Sequence, residues 1–119
     1  MVNINGRKGA LFETSVMKWL RDKSMTVERL TKAGSKDEGD LVVIAAGATF
    51  ILELKNRKKL DLGVFWNEAT VEAANYAKAR NIEEQPLAYV IVKRRNASIG
   101  KAWVIQDLDQ WTKEKRELS

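Results

Sequence analysis

Four residues have the types and order that could do chemistry: Glu13, Asp40, Glu53 and Lys55. The last three sit in the run GDLVVIAAGATFILELKNRKK, residues 39–59, which reads as two β-strands around a turn at Ala46-Gly47. With the turn centred there, Ala45 faces Ala48, Val43 faces Phe50, and Asp40 falls opposite Glu53. Directly opposed residues share a face, with Cβ atoms roughly 4.5–5.5 Å apart, and two like charges so placed repel. A bound divalent cation reverses the sign of that argument, because carboxylate oxygens are preferred ligands of Mg²⁺. Lys55 lies two residues beyond Glu53 and projects to the same face. The bland alternative is a strand-capping Asp40 and a solvated strip of Glu53 and Lys55.

Glu13 adds to the case. Residues from Gly9 to about Lys23 read as a helix with Phe12, Val16, Met17, Trp19 and Leu20 on one face. Glu13 falls between Leu20 and Met17, inside that apolar face. A carboxylate there must be paired, protonated or close to a cation. The loop AGSKDEG before Asp40 supplies Gly34, Ser35 and Gly39 for close backbone approach to a ligand, and Lys36 for a phosphate.

Composition narrows the chemistry further. The chain has 119 residues with no cysteine and no histidine. Thiolate sites, disulfides and imidazole bases are excluded. Any catalysis runs on carboxylates, lysine, hydroxyls or a metal held by oxygen. The net charge of +5 favours an anionic partner, with nucleic acid foremost. Basic groups cluster at element ends: Arg7 and Lys8, then Arg57, Lys58 and Lys59, then Lys93, Arg94 and Arg95. A surface that follows a phosphate backbone needs such clusters, although each alone reads as a solvated patch. No run approaches the roughly 18 apolar residues of a membrane span. The expectation is a soluble, cytoplasmic protein.

The elements that must position these groups follow from periodicity. Thr26 to Lys32 reads as a short strand, and Ala33 to Gly39 as a loop. The hairpin strands are Leu41 to Ala46 and Thr49 to Lys55, and Leu60 to Phe65 reads as a linker. Trp66 to Arg80 reads as a helix with an alanine-rich face, fit for close packing on a sheet. Pro86, the one proline, opens a strand from Leu87 to Lys93. Lys101 to Gln106 is a last strand, and Leu108 and Trp111 sit on a short helix that frays into KEKRELS. The order α-β-β-β-α-β-β predicts one α/β domain over residues 1–119, built on a mixed sheet.

The basic-glycine helix start GRKGALFE, the GD at a strand entry and the E-x-K of the next strand together resemble the PD-(D/E)xK nuclease superfamily. Gly39 stands where the family's motif has proline, which is not a ligand. The wider run, with GS before the aspartate, ELKNRKKLDL, an Ala/Glu-rich helix and VIVKRR, is similar to Holliday junction resolvases, particularly small phage-type, RecB-like nucleases. The likeness spans roughly Gly6 to Trp111. It implies a restriction-endonuclease-like core and a metal-dependent endonuclease cutting four-way junctions in DNA recombination and repair. By that resemblance Asp40 and Glu53 hold Mg²⁺, for which Mn²⁺ substitutes, with the Leu54 carbonyl and Glu13 completing the shell. Lys55 orients the attacking water and stabilises charge in the transition state. Ser35 supports from the loop, and Arg7, Lys8, Lys36, Arg57, Lys58, Lys93, Arg94 and Arg95 contact DNA. Glu68 and Glu72 lie where some members carry an extra polar group and read here as surface residues. The resemblance implies a homodimer without a nucleotide cofactor, for which Phe65, Trp66, Trp103 and Trp111 offer apolar surface. Related nucleases acting on flaps, nicks or ends, and a DNA-binding module without catalysis, are the competing readings.

Overall fold

The computed structural model describes residues 4–30 and 39–118, with side chains from residue 7 onward. Ser35 and Lys36 lie outside the described residues. Eight main elements follow in order: α1 (Ile4–Asp22), β1 (Thr26–Arg29), β2 (Leu41–Ala45), β3 (Ala48–Lys55), α2 (Leu62–Ala79), β4 (Leu87–Val92), β5 (Trp103–Ile105) and α3 (Leu108–Glu117). A single turn of 3-10 helix, Ile99–Lys101, precedes β5. The strands form one sheet in the order β1-β2-β3-β4-β5. All neighbours are antiparallel except β3 and β4, which run parallel. A parallel pair needs a crossover, and α2 supplies it.

The β2–β3 register is the one the turn predicts, with Ala45 opposite Ala48, Val43 opposite Phe50 and Leu41 opposite Leu52. Ala46 and Gly47 both take positive φ, +51° and +75°. That is the pattern of a tight hairpin turn whose twist matches the strands.

Alternation along the strands divides the core in two. On one face α1 sets Phe12 and Val16 against Val27, Leu41, Val43, Leu52, Leu54 and Ile91. On the other, α2 sets Phe65, Ala69, Ala73 and Tyr76 against Val42, Ile51, Val90 and Val92. The alanines let α2 lie close over β3 and β4. Consequently β3 is covered on both sides and its last residues, Glu53 to Lys55, are buried.

Four expectations are corrected. The stretch Leu60 to Phe65 is not a linker, because α2 begins at Leu62, where the Asp61 carboxylate accepts a hydrogen bond from the Val64 N–H. Phe65 is a core residue at 3 % exposure and not a surface for a partner. β1 stops at Arg29, and Thr31 and Lys32 lie outside the described residues. The basic tail does not fray: α3 runs to Glu117 from an Asp107 cap, with an Asp109–Lys113 ion pair at 3.3 Å one turn apart. α3 also closes a sheet edge. β5 pairs with the second half of β4, Val90–Val92. Beyond it, the Gln110 side-chain amide donates to the Ala88 carbonyl at 2.8 Å, and the Tyr89 hydroxyl bonds Glu114.

Candidate active site

The β2–β3 ladder ends with Leu41 opposite Leu52; Asp40 directly precedes it, and its carboxylate lies beside that of Glu53. Its backbone is fixed from both sides: its N–H donates to the Leu52 carbonyl at 3.1 Å, and its carbonyl accepts the Leu30 N–H at 2.9 Å. Its carboxylate accepts the Leu54 N–H at 2.7 Å. In a strand the N–H and C=O of one residue point to the same side, so the Leu54 carbonyl also faces the Asp40 side.

Gly39 explains the missing proline. Its φ is +104°, and a Cβ there would lie 2.6 Å from the Ile51 Cγ2 and 3.6 Å from a Glu72 carboxylate oxygen. Proline is locked near φ −65° and cannot occupy this bend. Glycine before Asp40 is therefore a backbone requirement of this chain.

Glu53 is buried at 6 % exposure. Its Oε2 receives no hydrogen bond from any N–H group among the described residues. Burial, and then the neighbouring carboxylates of Glu72 and Asp40, push its carboxyl up to about 11. Without a cation, Glu53 keeps its proton at neutral pH. Lys55, also 6 % exposed, points to the same face. Its Nζ lies 2.7 Å from Glu68 and 3.8 Å from Glu53, and sits 5.0 Å over the Phe65 ring. Glu13 is half-buried on α1 and pairs with Arg29 at 3.7 Å.

These groups meet in one cleft of about 650 Å³ at the carboxyl end of β3. It is lined by Lys8, Gly9, Glu13, Asp40, Glu53, Leu54, Lys55, Asn56, Arg57 and Lys58. A second hollow of about 360 Å³ shares Lys8, Asn56, Arg57 and Lys58 and continues to Lys93, Arg95 and Asn96. Arg94 turns elsewhere and stacks over Trp103 at 5.1 Å. Arg7 is exposed on α1. A further hollow of about 300 Å³ under α1 is lined by Val16, Leu20, Phe50, Ile91 and other apolar side chains. It is lined by no charged group, whereas the polar cleft gathers the ionisable ones.

Glu72 is corrected from a surface residue to a buried one beside the cleft, while Glu68 stays at the surface, its side chain 42 % exposed, and reaches Lys55. Glu72 is buried at 6 % exposure against Glu53, and Glu68 is the nearest counter-ion of Lys55. The helical wheel that singles out Glu13 contains the same signal here. Phe65, Ala69, Glu72, Ala73 and Tyr76 are one buried face, so Glu72 is an acid on an apolar stripe.

The donor set suits a divalent cation. Asp40 and Glu53 offer hard oxygens side by side, one Glu53 oxygen meets no N–H donor, and the crowded carboxylates gain from positive charge. One or both of these would hold the ion with the Leu54 carbonyl, and Glu13 faces the same cleft. The oxygens of Glu53, Glu68 and Glu72 also approach within 4.8 Å of one another, but the Lys55 ammonium already lies among them.

No protein-family model matches the chain. Among solved structures it is similar to Hjc, a Holliday junction resolvase of the archaeal hyperthermophile Archaeoglobus fulgidus. The TM-score is 0.51 at 22 % sequence identity, over 76 % of this chain and 67 % of that one. Strand order, the α2 crossover and that likeness agree, and the chain has a restriction-endonuclease-like α/β fold.

Proposed function

We propose that this protein is a metal-dependent DNA endonuclease that hydrolyses phosphodiester bonds in branched DNA, resolving four-way junctions. The observation that carries the reading is that Asp40 and Glu53 lie side by side in a cleft also lined by Lys8, Arg57 and Lys58. Carboxylates at the floor and cations at the rim suit a phosphate bridged to a divalent ion. The similarity to a Holliday junction resolvase in fold supports the substrate class.

Phosphodiester hydrolysis without histidine draws on Mg²⁺ or Mn²⁺ to acidify water and polarise a non-bridging oxygen. The chain's own residues do the rest. Asp40, anchored through Leu54, and Glu53 fix the ligand geometry, and Glu13 lies across the cleft. Lys55 carries positive charge to where negative charge develops and orients the attacking water. Lys8, Arg57 and Lys58 hold the flanking phosphates, and Lys93 and Arg95 extend that grip. A four-way junction needs two symmetric cuts and each chain has one such site, so the working unit is a homodimer. The exposed Trp103 and Trp111 are available apolar surface for it. On this reading the protein works in the cytoplasm, and among the described residues no helix is long and apolar enough to cross a membrane.

The test compares a labelled four-way junction with linear duplex, nicked duplex and a flap of the same sequence, in Mg²⁺, Mn²⁺ or EDTA. Paired symmetric cuts in the junction, lost with EDTA and in Asp40→Ala and Lys55→Ala, are expected. Equal cutting of every substrate, or preference for the flap, moves the assignment to a related nuclease on the same site. Metal-independent binding without cutting leaves a DNA-binding module.

A further inference from the structure

The glutamate and lysine of an E-x-K strand share a face and attract each other. An ammonium bound to Glu53 would occupy the carboxylate that a metal ion needs. The protein has an answer on α2. Residues four apart on a helix are separated by roughly 6 Å of rise, and residues two apart on a strand by roughly 6.6 Å. Because α2 crosses over between two parallel strands, it runs antiparallel to β3. The two spacings therefore match in opposite order. Glu68 comes beside Lys55, and Glu72 comes beside Glu53.

We infer that Glu68 is a positioning residue that draws the Lys55 ammonium off Glu53 and thereby keeps Glu53 open to a divalent cation. The inference rests on the metal-site reading above. Glu68 holds Lys55 Nζ at 2.7 Å, against 3.8 Å to the nearest Glu53 oxygen. The geometry also explains the acidic trio of Glu53, Glu68 and Glu72 without a second metal. Its cation is Lys55, and the Phe65 ring under the ammonium fixes its height. With Glu68 gone, Lys55 turns to its next nearest carboxylate and competes with the metal.

The experiment is Mn²⁺ binding to the whole protein, followed by calorimetric titration and by the metal-induced rise in melting temperature, without DNA. Wild type, Glu68→Ala, Lys55→Ala and the double variant are compared. Glu68 is partly exposed, so its loss leaves the fold intact, and the melting temperature of the metal-free variant checks this. Glu68→Ala is expected to weaken Mn²⁺ binding by about tenfold, and Lys55→Ala on top of it restores the affinity, because the competitor is gone. Unchanged binding in Glu68→Ala overturns the inference. A double variant as weak as Glu68→Ala also overturns it, because Glu68 would then ligate the metal or merely support the fold. A wild type that binds no Mn²⁺ removes the metal-site reading itself, a result distinct from either.

Discussion

Glu53 is where burial and charge act most strongly on one residue, and the consequence appears in stability against pH. In the folded, metal-free protein its carboxyl is pushed up to about 11, from an ordinary 4.5, chiefly by burial and then by Glu72 and Asp40. Between those values the folded state keeps a proton that the unfolded state has lost. Stability rises with pH only where the unfolded state binds more protons, so here it falls as pH rises. The contribution is fully present below the ordinary carboxylate value and declines through the window above it, by at most about 1.4 kcal/mol per pH unit. Melting temperatures taken in EDTA from about pH 5 to about pH 9 are expected to drop steadily in wild type. In Glu53→Gln, which keeps the shape and cannot ionise, most of that slope disappears. Equal slopes in both proteins would place the raised carboxyl elsewhere. Metal reverses the trend, since the ligand must be deprotonated and binding releases the proton.

At the scale of the element, the hairpin shows what sequence patterning could and could not reveal. The period of two in LVVIA and ATFILELK, with the turn at Ala46-Gly47, sets the strands and their register as far as Leu41 and Leu52, and so brings Asp40 and Glu53 together at the open end of the hairpin. The start of α2 is hidden because LDLGVF mixes a glycine with strand-forming residues, and the Asp61 cap alone marks it. That ambiguity leaves Phe65 off the helix, and Glu72 is read as a surface residue although it shares the alanine face with Ala69, Ala73 and Tyr76. The α3 tail misleads for a different reason: its charges look disordering, yet they pair one turn apart and α3 is held to β4 by Gln110 and Glu114. The turn carries a prediction of its own. Ala46 sits at φ +51°, a left-handed conformation that costs an L-residue with a Cβ about 1 kcal/mol or more. Asparagine tolerates it, and Asn-Gly is the favoured pair for such a turn. Ala46→Asn is expected to raise stability by about 1 kcal/mol in denaturant unfolding, with the unfolding slope and the cleavage rate unchanged. Destabilisation would show that the turn is held by something other than its own backbone preference.

At the scale of the molecule, the net charge of +5 matters less than where it lies. In the sequence, Lys93, Arg94 and Arg95 are one indistinguishable cluster. The structure separates them, because successive residues leaving a strand point in alternate directions. Lys93 and Arg95 join Lys8, Arg57 and Lys58 along the hollow that continues from the carboxylates, whereas Arg94 stacks on Trp103. On the endonuclease reading, the continuous basic wall is the path of the phosphate backbone away from the cut. A cation that neutralises one phosphate of duplex DNA contributes about 0.9 to the slope of log affinity against log salt. Lys93→Ala and Arg95→Ala are therefore each expected to flatten that slope by close to this amount, in EDTA so that no cutting intervenes. Arg94→Ala should leave it nearly unchanged, because its guanidinium is engaged with the Trp103 ring. The measurement is a junction-binding titration over a series of salt concentrations for the three variants and wild type. Equal flattening in all three would mean that the strand end presents its charge to DNA as an undivided patch. A change confined to Arg94→Ala would place the DNA on the Trp103 side of the sheet, and the wall from Lys8 to Arg95 would not be its track.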